Sequence, residues 1–408
     1  IFSSGNQELI NLFSEWTIAR KQIADLQSLK SELKEKSAVR LDSLLQKTNE
    51  LEKELSRRSA EFDGSFGGSA PTLDQIRQKL RAGEATVEII RTEIDGEGIY
   101  TALIGTSSTD YPDLIVLGKG SDFERQAFSV YKNAIKFKVD DPKSFDTYWR
   151  KIHSHLMANG ISKIFYAPDG IYHKISVNTL YDPSTKNYLI DELEVVQLSS
   201  TKDFLALDFS EDKQDQINNV LLVGRPSYKI GGSDAIAGTT RSFAMISNVS
   251  DLPGTEEEIN EINKLMEKSD AQCQVLLKDE AKEGAVKAGL NQELVHIATH
   301  GFFMEDEKAP SEDQMLSSGL LLAGVSNAQG SDNEDGILTA YEIMNLGLNN
   351  VEMVVLSACE TGLGEIASGE GIYGLQRAFF VGGAEAVVMS LWKVDDEATR
   401  DLMIAFYK

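Results

Sequence analysis

Two side chains of this sequence are suited to nucleophilic catalysis, and each stands at the end of an apolar run. His300 follows LVHIAT (294–299), and Cys359 ends the run that begins VEMVVLSA (351–358). A cysteine nucleophile needs a nearby imidazole that takes the thiol proton and later protonates the leaving amine. Ligands and reactive groups of parallel sheets collect at the carboxyl ends of strands, so these two side chains can meet although they are far apart in sequence.

The residue after the histidine adds a second reason to expect catalysis. Gly301 lacks a Cβ, so its backbone N–H can approach a developing oxyanion closely, and the N–H of Cys359 supplies a second donor. Each residue alone also has a structural interpretation. Cys359 can be a small buried apolar side chain, and His300 a histidine bonded to the backbone at the edge of the core. Their joint occurrence at two strand ends favours catalysis.

Short apolar runs alternate with helical segments along most of the chain. In the first part, strands are predicted at 85–90, 100–105, 113–118, 163–168 and 193–199, around a helical stretch near 121–160. In the second part, strands are predicted at 219–224, 294–299, 351–358 and 384–392, with helices at 255–268, 339–346, 371–381 and from Asp395 onward. Continuous β-branched runs between helices indicate an α/β fold with a mostly parallel, buried sheet.

Composition shifts along the chain predict three domains. Residues 1–66 are rich in Ala, Leu, Glu, Lys and Gln, which predicts long helices, and a Gly/Ser-rich break follows at 64–70. Residues 67–213 form one α/β half, and residues 214–408 form a second half that carries both candidate catalytic residues.

A weak internal sequence similarity relates the two halves. FYAPDG (165–170) and HIATHG (296–301) both run from an apolar strand through a polar residue to glycine. In this alignment Asp169 stands where His300 stands, so the first half would lack the base.

The composition excludes several classes of function. Lys and Arg number 40 against 64 Asp and Glu, a net charge of −24, whereas nucleic acids and anionic membrane surfaces require a basic face. No apolar run approaches the ~18 residues of a membrane span. The chain begins IFSSGNQEL, without an initiator Met or a visible signal peptide, and stops within a helical pattern, which predicts a fragment of a longer protein. Two cysteines, Cys273 and Cys359, suit a reducing cytoplasm.

Neither a metal nor a nucleotide cofactor is expected. The pair His296 and His300 reads HIATH, without the glutamate of a helical zinc motif, and no phosphate-binding glycine loop is present. Some residues of SDNEDGILTAYE (331–342) have the spacing of a calcium-binding loop. A helix capping box, with Thr339 as N-cap and Glu342 three residues later, explains this segment more simply.

Longer motifs around the two candidate residues resemble a known family. The motifs are HIATHGFF (296–303) and VVLSACETGLGE followed by GEGIYGLQRAFFVGGAEAVVMSLWKVDDEAT. They are similar to those of the CHAT family of caspase-like cysteine peptidases, in the caspase–separase–gingipain clan. Further matching stretches are YAPDGIYHKI (166–175), DLPGTEEEI (251–259) and DGILTAYEI (335–343), so the resemblance covers about 80–408.

The resemblance implies a caspase-hemoglobinase fold, with a mostly parallel sheet flanked by helices and with His300 and Cys359 at adjacent strand ends. It implies a cofactor-independent cysteine endopeptidase that cleaves a protein partner, preceded by a pseudo-peptidase α/β half and by N-terminal helices that lead to tetratricopeptide repeats. Those helices would receive a regulatory protein. Relatives act in bacterial antiviral defence and programmed death, which implies such a role here.

Substrate recognition is less sharply predicted. Separase-like relatives receive a basic substrate side chain on an acidic residue after the strand that follows the cysteine unit. Here Lys393 stands where that acid is expected, so Asp395 and Asp396 are the candidates, with helix N-capping as the alternative role. Glu360, next to the nucleophile, either borders the same pocket or belongs to a turn.

Two polar loops, 304–319 and 362–371, follow the histidine and the cysteine and are expected to be mobile regulators of the cleft. The alternatives to an endopeptidase are a catalytically silent caspase-like scaffold that recognises a protein partner and a Cys–His amidase that acts on small substrates.

Overall fold

The structure is a computed structural model. It describes scattered positions between residues 12 and 55, and residues 72–207, 217–228, 249–303, 318–325, 335–357, 370–392 and 396–408. The described positions before residue 56 are helical, and Trp16 packs there with Leu12, Leu51 and Leu55. Over the described residues, no helix is both long and apolar enough to cross a membrane.

The chain divides into two compact units. The middle unit is Ala70–Gln214, and the main unit combines Ile1–Ser69 with Asp215–Lys408. Each has its own sheet and its own hydrophobic core.

The middle unit opens on a helix whose start the sequence specifies. In α1 (Leu73–Lys79) the Thr72 hydroxyl accepts the N–H of Gln75, and the Gln75 side chain accepts the N–H of Thr72. This reciprocal pair is a capping box, which satisfies two amides that the first turn leaves without helical partners.

Helices and strands then alternate through the middle unit. Its strands are β1 (Glu84–Ile94), β2 (Glu97–Thr106), β3 (Asp113–Lys119), β4 (Lys163–Ala167), β5 (Tyr181–Asp182), β6 (Asn187–Tyr188) and β7 (Glu194–Gln197). A helical turn (Gly120–Asp122) and a π-helical segment (Phe123–Ala127) lead into α2 (Phe128–Phe137), followed by α3 (Pro142–Tyr148) and α4 (Arg150–Ala158). Short 3₁₀ segments are Gly170–Lys174, Val177–Thr179, Leu189–Asp191 and Thr201–Leu205.

The sheet of the middle unit is mixed. Its order is β3-β2-β1-β4-β7, in which β1, β4 and β7 are parallel while β1–β2 and β2–β3 are antiparallel. Alternate residues of β4 serve two cores: Ile164 and Tyr166 join an aromatic cluster with Trp149, and Phe165 stacks on Phe204 on the opposite face. Apolar side chains on both faces explain the continuous apolar run.

The main unit contains the second series of elements. Its strands are β8 (Asn219–Pro226), β9 (Gln272–Lys278), β10 (Leu294–Ala298), β11 (Gly301–Phe303), β12 (Ser318–Leu321), β13 (Ile337–Thr339), β14 (Met353–Leu356) and β15 (Ala386–Met389). Its helices are α5 (Pro253–Lys268), α6 (Glu283–Gly289), α7 (Ala340–Met344), α8 (Glu370–Gly382) and α9 (Asp396–Phe406).

Five of these strands form a wholly parallel sheet in the order β15-β14-β10-β8-β9. One face packs on residues of α5 and on Met403 and Tyr407, and the other packs on residues of α6, α7 and α8. The mostly parallel α/β sheet flanked by helices, expected from the sequence, is confirmed for this unit.

A small antiparallel sheet, β11-β12-β13, lies directly after the central strand β10. Thr339 ends β13 and begins α7, where its hydroxyl accepts the N–H of Glu342 and the Glu342 carboxylate accepts the N–H and O–H of Thr339. The predicted capping box is therefore confirmed.

Candidate active site

His300 lies two residues beyond the end of the central strand β10, and its side chain is fully buried. Strand β10 lies between β14 and β8, with Ile297 paired to Leu356 on one side and to Val223 on the other. The histidine is thereby fixed at the carboxyl edge of a parallel sheet, where such folds place their reactive groups.

One hydrogen bond orients the imidazole. Its Nε2 lies 2.7 Å from the main-chain carbonyl oxygen of Ser250, in the segment that precedes α5. Because a carbonyl oxygen can only accept, Nε2 is the nitrogen that carries the proton. Within the described part of the chain, Nδ1 has no hydrogen-bond partner although it is buried. The ring therefore has one anchored nitrogen and one basic nitrogen without a partner.

Burial also sets the charge of the ring. Removal from water lowers the pKa of His300 below its ordinary value, and the Ser250 carbonyl and the Asp251 carboxylate oppose this shift only in part. The imidazole is consequently neutral at neutral pH, as a general base must be.

A second layer of contacts holds the ring and the strand end. The Tyr228 ring lies 5.1 Å from the His300 ring, centroid to centroid, and its hydroxyl is 3.0 Å from that of Thr299. The Thr299 hydroxyl donates to the carbonyl of Leu321 at 2.6 Å, so its single proton is used there and the phenol is the donor to Thr299. These contacts tie the segment after β8 and strand β12 to the end of β10.

The small sheet places Gly301 in a defined register. The N–H of Leu321 donates to the carbonyl of His300 at 2.8 Å, and Gly301 pairs with Leu320 in β12. Hydrogen-bonded and non-hydrogen-bonded pairs alternate along an antiparallel ladder, so Gly301 occupies a non-hydrogen-bonded position and its N–H points away from β12.

Three of the other predicted site residues, Cys359, Glu360 and Asp395, lie outside the described residues. Asp396 is the first residue of α9, and its side chain lies outside them too. Most of the two polar loops, 304–319 and 362–371, also falls outside them. After β14, the last described residue is Ser357, which is two positions before Cys359.

A second histidine of the motif has a different environment. His296 is fully buried within β10; its Nε2 lies 2.9 Å from the Glu258 carboxylate of α5, and its Nδ1 lies 3.0 Å from the Tyr407 hydroxyl. Both ring nitrogens are thus occupied, and this Glu258–His296–Tyr407 triad joins β10 to the helices on one face. Across the described ranges, no group of three His, Cys, Asp or Glu residues is placed to hold a metal ion.

A polar cavity of about 320 Å³ lies at the opposite, amino-terminal edge of the parallel sheet. It is lined by amides and carboxylates of residues at the strand starts, namely Asn219, Asn291, Gln292, Glu293, Asn349, Asn350, Glu352 and Glu385. It has no contact with His300, and its position away from the strand carboxyl ends separates it from the candidate chemistry.

The sequence reasoning missed the groups that orient His300. The Ser250 carbonyl is a main-chain atom 50 residues before the histidine, so no residue type signals it. Pro253, which starts α5 shortly after Ser250, indicates only that a loop ends there. Tyr228 follows β8 and carries no spacing signal toward His300.

In the middle unit, Asp169 lies two residues after β4, a strand with parallel neighbours on both sides, as His300 follows β10. Its carboxylate accepts the N–H groups of Arg91 and Gly170 at 2.8 and 2.7 Å. The same place in the topology therefore carries a backbone cap instead of an imidazole.

A helix-flanked parallel sheet with a buried histidine at the carboxyl end of its central strand defines a caspase-like α/β protein. Residues 145–408 match the family model described as the CHAT domain, so the chain belongs to the CHAT family. Tetratricopeptide repeat protein 28 of Homo sapiens is 29% identical over 177 residues, and that of Mus musculus is 27% identical over 177 residues. Each alignment covers 38% of this chain and only 7% of the relative.

Proposed function

We propose that this chain is a cysteine endopeptidase in which Cys359 is the nucleophile and His300 the general base. The observation that carries the proposal is the buried Nδ1 of His300, which has no hydrogen-bond partner among the described residues. It lies just beyond β10, the strand next to the one that precedes Cys359. Ile297 pairs with Leu356, and His300 and Cys359 each follow that pair by three residues. Two residues of fully extended chain span at most about 7 Å, so Cys359 lies within that distance of Ser357.

The first chemical step uses the orientation of the imidazole. With the Nε2 proton held by the Ser250 carbonyl, Nδ1 takes the proton of the Cys359 thiol. The thiolate attacks the carbonyl carbon of the scissile peptide bond, and the protonated ring returns the proton to the leaving amine. Water, activated by the same Nδ1, then hydrolyses the thioester and regenerates the thiol.

The tetrahedral intermediates carry a negative oxygen that needs donors. The Gly301 N–H, directed away from β12 by its register, and the N–H of Cys359 are the proposed pair. Loss of one such donor costs about 10²–10³-fold in rate in comparable enzymes.

The substrate is proposed to be a protein segment with a basic residue before the scissile bond. Glu360, Asp395 and Asp396 supply the acidic groups in the sequence that follows the nucleophile and the last strand. The net charge of −24 favours a basic substrate segment. We further propose that a regulatory protein binds through the N-terminal helices and that the loops 304–319 and 362–371 regulate the cleft. A cytoplasmic location and a role in bacterial defence or programmed-death signalling belong to the same proposal.

The two cysteines of the sequence allow a clean test. A peptide carrying an acyloxymethyl ketone after a basic residue is incubated with the full chain, and labelled peptides are identified by mass spectrometry. We expect one label, on Cys359, in the original chain and in Cys273→Ala. We expect none in Cys359→Ala and a loss of at least about 100-fold in labelling rate in His300→Gln.

Cys273 is a matched internal control because burial raises the pKa of its thiol and makes it a poorer nucleophile. Labelling that survives Cys359→Ala, or that is equal in His300→Gln, contradicts the proposal and leaves a silent scaffold as the better interpretation. A peptide-library assay separates an endopeptidase from an amidase: cleavage within long peptides supports the first, and release of ammonia from small amides alone supports the second.

A further inference from the structure

Arg225, at the end of β8, has an unusual backbone. Its φ is +42°, and the ladder between β8 and β9 shifts register between Gly224 and Pro226, so Arg225 is the extra residue of a bulge. A left-handed conformation is unfavourable for a side chain other than glycine and persists where the surroundings enforce it. Bulges near functional sites commonly redirect a side chain.

The redirected Arg225 side chain binds the segment before α5. The Arg225 guanidinium makes a two-point contact with the Asp251 carboxylate, Nε to Oδ1 at 3.0 Å and Nη2 to Oδ2 at 2.6 Å. Its Nη1 contacts Glu256 at 2.6 Å, and its backbone N–H donates to the Thr255 hydroxyl at 2.9 Å. All five donors of such a planar fork are fixed in direction, so this contact defines a position and not only a charge.

The neighbouring backbone packs equally closely. A Cβ on Gly224 would lie 2.5 Å from Ile259 and 2.9 Å from the Thr255 carbonyl oxygen. The end of β8 and α5 therefore pack so closely that no side chain fits on Gly224. Together with the Arg225 contacts, this fixes residues 250–256 against the strand.

Asp251 is adjacent to Ser250, whose carbonyl orients His300. We infer that Arg225 is a positioning residue, which holds the Ser250 carbonyl on Nε2 of His300 and so keeps Nδ1 as the free basic nitrogen. The inference deepens the proposed peptidase function and rests on it for its purpose. Nothing in the guanidinium contacts the imidazole, so its effect passes through the 250–252 segment.

The same contact has an electrostatic part. The titratable groups of the described residues that face the His300 ring are the Tyr228 phenol and the Asp251 carboxylate. Asp251 favours the charged imidazolium, and the guanidinium of Arg225, bound to that carboxylate, offsets it. Removing the arginine has two opposing effects on the pKa of His300: it exposes the ring to the full Asp251 charge, which raises the pKa, and it releases the Ser250 carbonyl, whose loss lowers it. Removing the carboxylate charge lowers the pKa.

Histidine-selective ¹⁵N NMR of the full chain tests this without requiring activity. The sequence has five histidines, and His300→Gln assigns the relevant signal. In the original chain we expect Nε2 protonated, Nδ1 unprotonated and a titration midpoint below the ordinary ~6.5. In Arg225→Met we expect both tautomers, because the ring loses the fixed acceptor of its Nε2 proton. In Asp251→Asn we expect the midpoint to move down.

Two further variants keep the test sharp. Arg225→Lys preserves the charge but not the two-point contact, so we expect mixed tautomers in this variant as well. Arg400→Gln removes an arginine that contacts Glu257 of α5 but not residues 250–252, and we expect no change. An unchanged tautomer in Arg225→Met, or an equal change of tautomer in Arg400→Gln, overturns the inference. Absence of Cys359 labelling with the expected NMR result instead overturns the proposed function alone.

Discussion

The Glu258–His296–Tyr407 triad provides a prediction about stability that its geometry makes quantitative. Glu258 and His296 are 1% and 0% exposed, and their 2.9 Å contact lies between α5 and the central strand. Removing one member of a buried polar pair leaves the other without a partner in a site that excludes water. We expect Glu258→Leu and His296→Leu each to lower the free energy of unfolding by about 3–5 kcal/mol.

The double variant distinguishes this cause from simple loss of packing. When both polar groups are replaced by leucine, no buried group is left unpaired, so the double variant should cost no more than either single one. The coupling free energy of the cycle is then about 3 kcal/mol or more. Tyr407→Phe removes only the hydroxyl group, and a loss of about 1 kcal/mol of stability is expected.

Urea unfolding of the intact chain, with hydrogen exchange of the β10 amides as a local readout, measures these differences. Lys264→Gln on the same helix breaks the exposed pair with Glu261 and should change stability by less than about 0.5 kcal/mol. Additive single costs in the double variant, or single costs no larger than that of Lys264→Gln, would refute the reasoning that the pair is a desolvated, mutually dependent unit.

Further predictions follow from burial and close contacts. Because burial lowers the pKa of His300, its neutral form persists below the ordinary ~6.5, and the labelling rate of Cys359 should fall only at more acidic pH; probe kinetics with a midpoint at or above that value would contradict this. Burial lowers the pKa of His173 to about 4, so as pH falls below the unfolded value the unfolded chain binds a proton that the folded chain does not, and stability is lost until pH approaches that pKa. Between pH 7 and pH 5, His173→Gln should lose about 1–2 kcal/mol less stability than the original chain in parallel urea titrations. A Cβ on Gly319 would lie 2.5 Å from the Leu338 carbonyl oxygen, so Gly319→Ala should raise the exchange rate of amides in β11–β13; unchanged exchange would show that the small sheet accommodates the methyl group and contradict this.

The major strands were predictable because their apolar residues are continuous. Strand β8 alternates between two cores, Val220 and Leu222 toward α5 and Leu221 and Val223 toward the other face, so every position is apolar. By contrast, β9 is an edge strand with exposed glutamines at alternate positions, and the sequence reasoning omitted it. The three-residue strands β11 and β13 are defined by pairing with β12, which no local propensity encodes.

The candidate site was also predictable only in part. A histidine and glycine directly after an apolar strand are visible in sequence, and the structure places His300 at a strand end next to β14. The identity of its proton-bearing nitrogen was not predictable, because it depends on a main-chain oxygen 50 residues away. The role of Arg225 depends on a bulge and a positive φ, which arise only when β8, β9 and α5 pack together.

The mixed sheet of the middle unit differs from the wholly parallel sheet of the main unit. In the middle unit, β1 continues into an antiparallel hairpin with β2. In the main unit, the neighbouring strands are parallel, because the chain returns through a helix before each new strand. The hairpin closes one flank of the sheet with local hydrogen bonds, and the part of β1 beyond its pairing with β4 places the Arg91 N–H on the Asp169 carboxylate. The two sheets therefore differ in architecture, and not only in one side chain, at the position where the main unit carries His300.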